Sequence, residues 1–297
     1  MAQNIPTFFV DEYRQRIELA LQHSGSQYRA AVSEMPASGE QSVAVDLVGM
    51  VPMKPITHRL QPIVNDDFKT DRVWMRPSDA YAAPIIDTFD KLRLGANDPQ
   101  SVVVRATVNG ARKHMDQLIA SAFFADAIAG RKGEAVVPFD TTAHRVDAAV
   151  GASADTGLNG EKLLEAARIM READVDVDNE ELWCAITPRD NQRFLADARV
   201  TNSEFVKFGG VVVKDKVTNF AGMNVLVTNV VPDYLTYTAV PVWVKSGITL
   251  GVWDDVKVSI DQRTDIAGLP FQVHVTVSLG ATRTEPGKVI LVECTKG

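Results

Sequence analysis

The chain has 297 residues, 45% of them hydrophobic and 23% charged, with a formal net charge of -7 at pH 7, which is the balance of a globular protein with a sizeable core. The acidic excess excludes a protein built to grip phosphate backbones, because such binding draws on clustered Lys and Arg. Two cysteines, Cys184 and Cys294, supply neither a disulfide framework nor a zinc site, and no run approaches the roughly 18 apolar residues that a membrane span requires.

The first forty residues hold one amphipathic pattern, Phe9 to about Gln22, with Tyr13, Ile17, Ala20 and Leu21 on one face. Gly25, Pro36 and Gly39 then punctuate a polar stretch that reads as an arm. Met1 to Val10 has no basic lead and runs into Asp11 and Glu12, so no secretory signal is expected and the chain should stay in a reducing cytoplasm. From Val43 to about Pro77 short β-prone pieces, Val43 to Val48 and Leu60 to Val64, alternate with Pro52, Pro55 and Pro62. Prolines at that density suit edge strands and a long excursion with little core of its own.

Asp98-Pro99 places a side-chain cap before proline at the first helical position, and the pattern behind it predicts a helix to Ala129, where Gly130 stops it. Met115, Leu118, Ile119, Ala122 and Phe123 form its apolar stripe. At 1.5 Å per residue such a helix is about 45 Å long, a spine rather than one wall of a compact core. Leu158-Asn159-Gly160-Glu161-Lys162-Leu163 predicts a second helix capped by Asn159, with Leu158 stapled to Leu163. Leu182 to Ile186 predicts a buried strand, and Thr187-Pro188-Arg189-Asp190 a third helix to about Ala198. Six strands should follow: Val211–Val213, Val225–Val227, Val242–Lys245, Val256–Ile260, Gln272–Leu279 and Lys288–Cys294. Cys184 and Cys294 both lie in apolar runs, as small buried hydrophobes do.

The chemistry-bearing patterns fail on spacing or context. Asp155-Thr156-Gly157 matches the tripeptide of aspartic proteases, but it sits in a loop leading into a helix and has no second copy to share a proton. Asp174, Asp176 and Asp178 alternate as in a calcium loop, yet Asn179 stands where the turn glycine belongs and Ala185 where the bidentate glutamate should be. His23, His58, His114, His144 and His274 lack second ligands at metal spacing, and His114 and Asp116 are two apart on a helix and do not face each other. Catalytic, cofactor-binding and metal residues are therefore all expected to be none.

The order of parts resembles a known family: polar arm, extended hairpin, long spine helix, a central α/β lobe, then strands returning. Trp183 to Asp190 looks like a hydrophobic strand running into an N/T-P-R-D helix start, and Phe220 to Thr228 like a strand turning through glycine, with Asn224 in place of the usual proline. Asp254 to Asp265 and Ser278 to Cys294 look like return strands. These features together resemble tailed-bacteriophage major capsid proteins of the Hong Kong 97 type, over essentially the whole chain. The resemblance implies an α+β fold in four parts: an N-terminal arm (1–41), an extended loop (42–81), a peripheral domain with the spine helix (82–157 and 259–297) and an axial domain (158–258). It implies no enzyme and no cofactor. The subunit would assemble with itself, as pentamers and hexamers, into an icosahedral shell in the host cytoplasm, and end as the capsid of the virion. Partners would be a separate scaffolding protein, since the chain starts at the arm, a portal, and in some members decoration proteins. Enclosed double-stranded DNA would touch the wall weakly and without sequence preference, and no membrane is involved. The lysine and asparagine of the cross-linking members find no match. An encapsulin-like nanocompartment shell is the alternative with the same fold.

Overall fold

The computed structural model describes residues 25–63, 65–87, 99–196, 211–213 and 216–296; the arm helix expected at Phe9 to Gln22 lies outside them. The strands in chain order are β1 (Ser33–Pro36), β2 (Ser42–Val48), β3 (Thr70–Met75), β4 (Ser78–Ala82), β5 (Ile85–Ile86), β6 (Ala127–Ala129), β7 (Ala135–Val137) and β8 (Arg145–Val146). Then come β9 (Leu182–Ile186), β10 (Val211–Val213), β11 (Lys216–Phe220), β12 (Met223–Val227), β13 (Asp233–Tyr234), β14 (Tyr237–Val244), β15 (Ile248–Gln262), β16 (Phe271–Arg283) and β17 (Val289–Thr295). The helices are α1 (Pro99–Ala122), α2 (Gly160–Glu172) and α3 (Pro188–Ala196).

The chain divides into two compact units, one of Met1–Ser26, Pro77–Gln117 and Val252–Leu279, the other of Gln27–Arg76, Leu118–Gly251 and Gly280–Gly297. In the first, β16 pairs antiparallel with β4, from Val275 opposite Ala82 to Leu279 opposite Ser78, and with β5. Its residues alternate: Val273, Val275, Val277 and Leu279 are buried, while the residues between them are half-exposed. That period of two gives one face to the core. Ile86, Val273 and Val275 make the buried centre, with Val103, Val104 and Ala111 of α1 packed on it. The valines that weaken helix propensity at the start of α1 thus have a packing role, which is how tertiary contact overrides propensity.

The second unit is built on an eight-stranded mixed sheet in the order β10-β11-β12-β9-β14-β17-β8, with β13 also on β14. β12 runs parallel to β9, and β17 parallel to β8. One face of the sheet meets Leu163, Ala166, Ala167 and Met170 of α2 and Phe194 of α3; Phe194 meets Phe220 edge-on at 5.0 Å. On β14, Val240, Val242 and Val244 join that core, while Trp243 makes tilted ring contacts with Phe123 at 4.6 Å and Tyr28 at 5.9 Å and donates its indole N–H to Ala31 O at 2.8 Å. Burial on both faces explains why the strand reads as an unbroken apolar run. Pro241 in its middle is tolerated for a geometric reason. Leu291, opposite it, turns its N–H away to His144 O, so that pair exchanges no ladder bonds, and the β9 ladder begins only at Val242.

Several boundaries differ from expectation. The spine helix ends at Ala122, about 36 Å long, and Ala127–Ala129 is a strand pairing with β3 and β7. The Arg283 guanidinium takes the carbonyls of Phe123 and Ala125 at 3.2 and 3.1 Å, so those acceptors need no further helical turn. Residues 60–63 form no strand, since Pro62 and the lack of a partner leave them unpaired. The hairpin closes at Met75, and Ser78–Ala82 belongs to β4 on β16. β17 lies in the large sheet between β14 and β8, with Val289–Val292 and Cys294 buried and Glu293 buried among them.

Candidate functional site

β2 and β3 form an antiparallel ladder from Ser42 opposite Met75 to Val48 opposite Thr70, and Gly49 N–H to Lys69 O at 2.8 Å makes the last rung. The base is fixed. β3 pairs with β6, Trp74 Nε1 donates to Gly130 O at 2.7 Å, and Asp71 Oδ1 accepts Gly130 N–H at 3.0 Å. Across the ladder Arg72 is paired with Asp46, and that hydrogen-bonded guanidinium holds the Asp46 carboxyl below the usual carboxylate range.

Beyond the rung, residues 49–69 have no regular secondary structure where described. A Lys54–Asp66 ion pair and Gln61 Oε1, accepting from Thr57 N at 2.8 Å and Thr57 Oγ1 at 3.1 Å, hold the tip together. Its apolar side chains are outside. Met50, Met53, Ile56, Leu60 and Ile63 are between 85% and 97% exposed, and Phe68 58%. Isolated exposed apolar residues are normal, but a run of them on one segment marks an interaction surface. Burying five such side chains would contribute on the order of 10 kcal/mol gross at 1.5–3 each, ample to offset much of the cost of association.

The patterns with chemical potential are otherwise committed. Asp155 Oδ2 accepts the Tyr237 hydroxyl at 2.6 Å, while the carbonyls of Thr156 and Gly157 accept Lys162 Nζ at 2.8 and 3.0 Å; the tripeptide is a lysine-anchored loop. Asp176 caps Asn179 N–H at 3.2 Å and also accepts its side-chain amide, and Asp178 faces Arg171 at 3.4 Å. Asp116 Oδ1 accepts the Ser26 hydroxyl at 2.5 Å, and His114 Nε2 is buried without a protein partner. Cys184 and Cys294 are buried free thiols; burial pushes Cys294 up to about 12 and Cys184 higher still, suppressing the reactive thiolate. An open cleft at the end of β9 is lined by Thr187, Arg189, Asp190, Asp233, Thr238 and Lys296 among others. There Lys296 pairs with Asp233 at 2.8 Å and Thr187 with Asp190, leaving no nucleophile beside a free base. Among the described residues no group of three or more His, Cys, Asp or Glu is placed to hold a metal.

An apolar clasp on a fixed base, beside polar groups tied up internally, is the anatomy of an assembling subunit. The phage capsid protein family matches residues 5–296. The chain belongs to that family. Solved structures agree in fold. The capsid of cyanophage P-SCSP1u is similar at 15% identity and a TM-score of 0.74, over 97% of this chain and 94% of that one. The capsid of Ralstonia phage GP4 is similar at 13% and 0.70, over 99% and 98%, and that of cyanophage Pam1 at 10% and 0.69, over 99% of each. No curated protein matches. The chain is thus a phage major capsid protein, a structural component of the virion that assembles into its shell, with the expected α+β capsid fold; no finding favours the encapsulin-like alternative.

The exposed tip was the part of this capsid protein that sequence reading undervalued. Its signal was present in Met50, Val51, Met53, Ile56, Leu60, Ile63 and Phe68, apolar residues spaced by prolines and charges with neither helical nor strand period, so pattern templates passed over them.

Proposed function

We propose that copies of this chain form the pentamers and hexamers of a closed icosahedral shell around double-stranded DNA, with the tip at residues 49–69 laid over a neighbouring copy. The observation that carries this reading is the exposed apolar run from Met50 to Phe68 on a two-stranded stalk. The tip beyond the Gly49–Lys69 rung has no packed face of its own, so a neighbour is needed to cover it. Repetition around a shell multiplies such modest contacts.

The net charge of -7 supports a wall along which DNA slides, with weak and non-specific contact. Commitment of the Asp155 and Asp176 carboxylates to internal hydrogen bonds supports assembly without catalysis. The division into arm, extended loop, peripheral and axial parts is retained as our reading, with β8 and β17 assigned to the axial sheet they pair in. A separate scaffolding protein, a portal and decoration proteins are the partners this reading carries, with assembly in the host cytoplasm. The test is analytical ultracentrifugation and negative-stain microscopy of the purified chain, alone and with its scaffold. Closed particles are expected; a stable monomer or dimer under every condition overturns the proposal.

A further inference from the structure

We propose that Met50 and Met53 are a paired oxidation site that gates assembly, a reading that rests on the tip being the intersubunit clasp. Methionine is selective here because the chain separates its eight methionines by burial. Met50 and Met53 are 92% and 97% exposed, whereas Met75, Met115, Met170 and Met223 are at most 1% exposed. Met35 is half-buried and Met1 lies outside the described residues. A peroxide in solution therefore reaches the two tip sulfurs ahead of those in the core. The cysteines do not compete, being buried and held as thiols.

The reaction is a two-electron transfer. The thioether sulfur attacks one oxygen of hydrogen peroxide, an S–O bond forms as the O–O bond breaks, and water leaves; sulfur is oxidised to the sulfoxide and the peroxide is reduced. The product is polar and chiral where the reactant was apolar and flexible. In the free subunit this costs nothing, because both side chains stand in water. On docking, each sulfoxide oxygen must be stripped of water as the neighbouring copy covers the tip. Oxidised subunits are thus excluded from growing shells, while subunits already built in keep their sulfurs covered. Thiol-dependent sulfoxide reduction restores the apolar side chain, which makes the gate reversible.

The test uses the full unassembled chain treated with hydrogen peroxide, with peptide mass spectrometry to locate the sulfoxides and light scattering to follow assembly. Met50 and Met53 should oxidise first, and assembly should slow by about tenfold or more, recovering after treatment with a methionine sulfoxide reductase. Finished shells treated alike should retain both thioethers. The M50L/M53L chain is compared with and without peroxide against its own untreated rate, and the two rates should be equal. Equal peroxide inhibition of M50L/M53L, or normal assembly of doubly oxidised wild type, overturns the gate. Untreated M50D/M53D separates the two levels of argument. If it assembles normally the clasp reading itself is wrong; if it fails while oxidised wild type assembles, only the oxidation gate falls.

Discussion

Lys162 Nζ, on the first turn of α2, donates a 2.9 Å hydrogen bond to the carbonyl of Glu293 on the final strand, 131 residues away in sequence. The same ammonium reaches Thr156 O and Gly157 O, so all three of its donors are spent on backbone. Burial pulls the Lys162 pKa below the ordinary lysine value, against the opposing negative charges of Asp155, Asp147 and Asp190. The lysine ties the 156–157 loop, the start of α2 and β17 into one joint. Lys162→Met keeps the stem and removes the donors; Thr156 O retains Thr295 N–H at 3.1 Å, while the others lose a charged partner. Relief from burying a charge offsets part of the loss. The expected outcome is about 2–4 kcal/mol of destabilisation, read from urea unfolding of the subunit; an effect below about 0.5 kcal/mol would show that the joint carries no net stability.

The two helix starts give a smaller, graded prediction. Asn159 Oδ1 accepts Lys162 N–H at 2.9 Å, and Thr187 Oγ1 accepts Asp190 N–H at 3.1 Å while donating to Asp190 Oδ2 at 2.6 Å. Asn159→Ala loses its cap and the 2.9 Å bond that its amide donates to Val150 O, so about 1–2 kcal/mol is expected. Thr187→Val removes both bonds and leaves a buried Asp190 carboxylate short of a donor, so about 2 kcal/mol is expected. Thermal melting of the two variants side by side checks the order, and a larger effect at Asn159 would contradict it.

These caps were legible in the sequence because they are local: Asn159 three residues before its donor, Thr187 before Pro188, and an apolar run of five for β9. The joint at Lys162 was not. Nothing in Asn159 to Leu163 says that the ammonium turns to carbonyls on a strand near the C-terminus. Arg283 repeats the lesson, since its guanidinium lies over the Phe139 ring at 5.0 Å and holds carbonyls of Phe123, Ala125 and Val137. A cation near the end of the chain thus decided where the spine helix stops. β11 was missed for the opposite reason: Lys216–Phe220 offers only Val217 and Phe220 to the core, too few apolar residues for a periodic signal. The candidate site was legible as an excursion between prolines, but its apolar character emerged only once the side chains were seen to have no cover.

His144 gives the pH dependence of the second unit. Its Nδ1 is buried without a protein partner, its ring lies 6.4 Å from Phe139, and its carbonyl anchors Leu291 N–H at 2.9 Å. Burial depresses its pKa below 6.5; the nearby Asp140 carboxylate opposes this and the Arg283 charge adds to it. A depressed folded pKa means that the unfolded chain takes up the proton first as pH falls. Stability is therefore full above about 6.5, and is lost as pH falls from there through the lower folded value. Denaturant midpoints measured from pH 7.5 to 5 should decline for the wild type and decline less for His144→Gln. Parallel curves for the two proteins would assign the acid loss to other groups.

The last prediction concerns the hairpin, where folding and assembly should come apart. Among the described residues none between Met50 and Asp67 is buried, and the ladder that fixes the stalk ends outside that segment, at Val48 opposite Thr70 and the Gly49–Lys69 rung. Replacing Met50–Asp67 by a short Gly-Ser linker shortens a loop whose closure costs only about 0.6 kcal/mol per doubling of length. Circular dichroism should therefore show an intact subunit melting within a few degrees of wild type, on the order expected for a change below 1 kcal/mol. Particles should be absent from micrographs of the same preparation, because the exposed apolar run proposed to dock on a neighbouring copy is gone. Unfolding of the deletion protein would mean that the segment supports the core of its own chain. Normal shells would mean that another surface closes the contact between subunits, and that Met50 to Phe68 stands in water for some other partner.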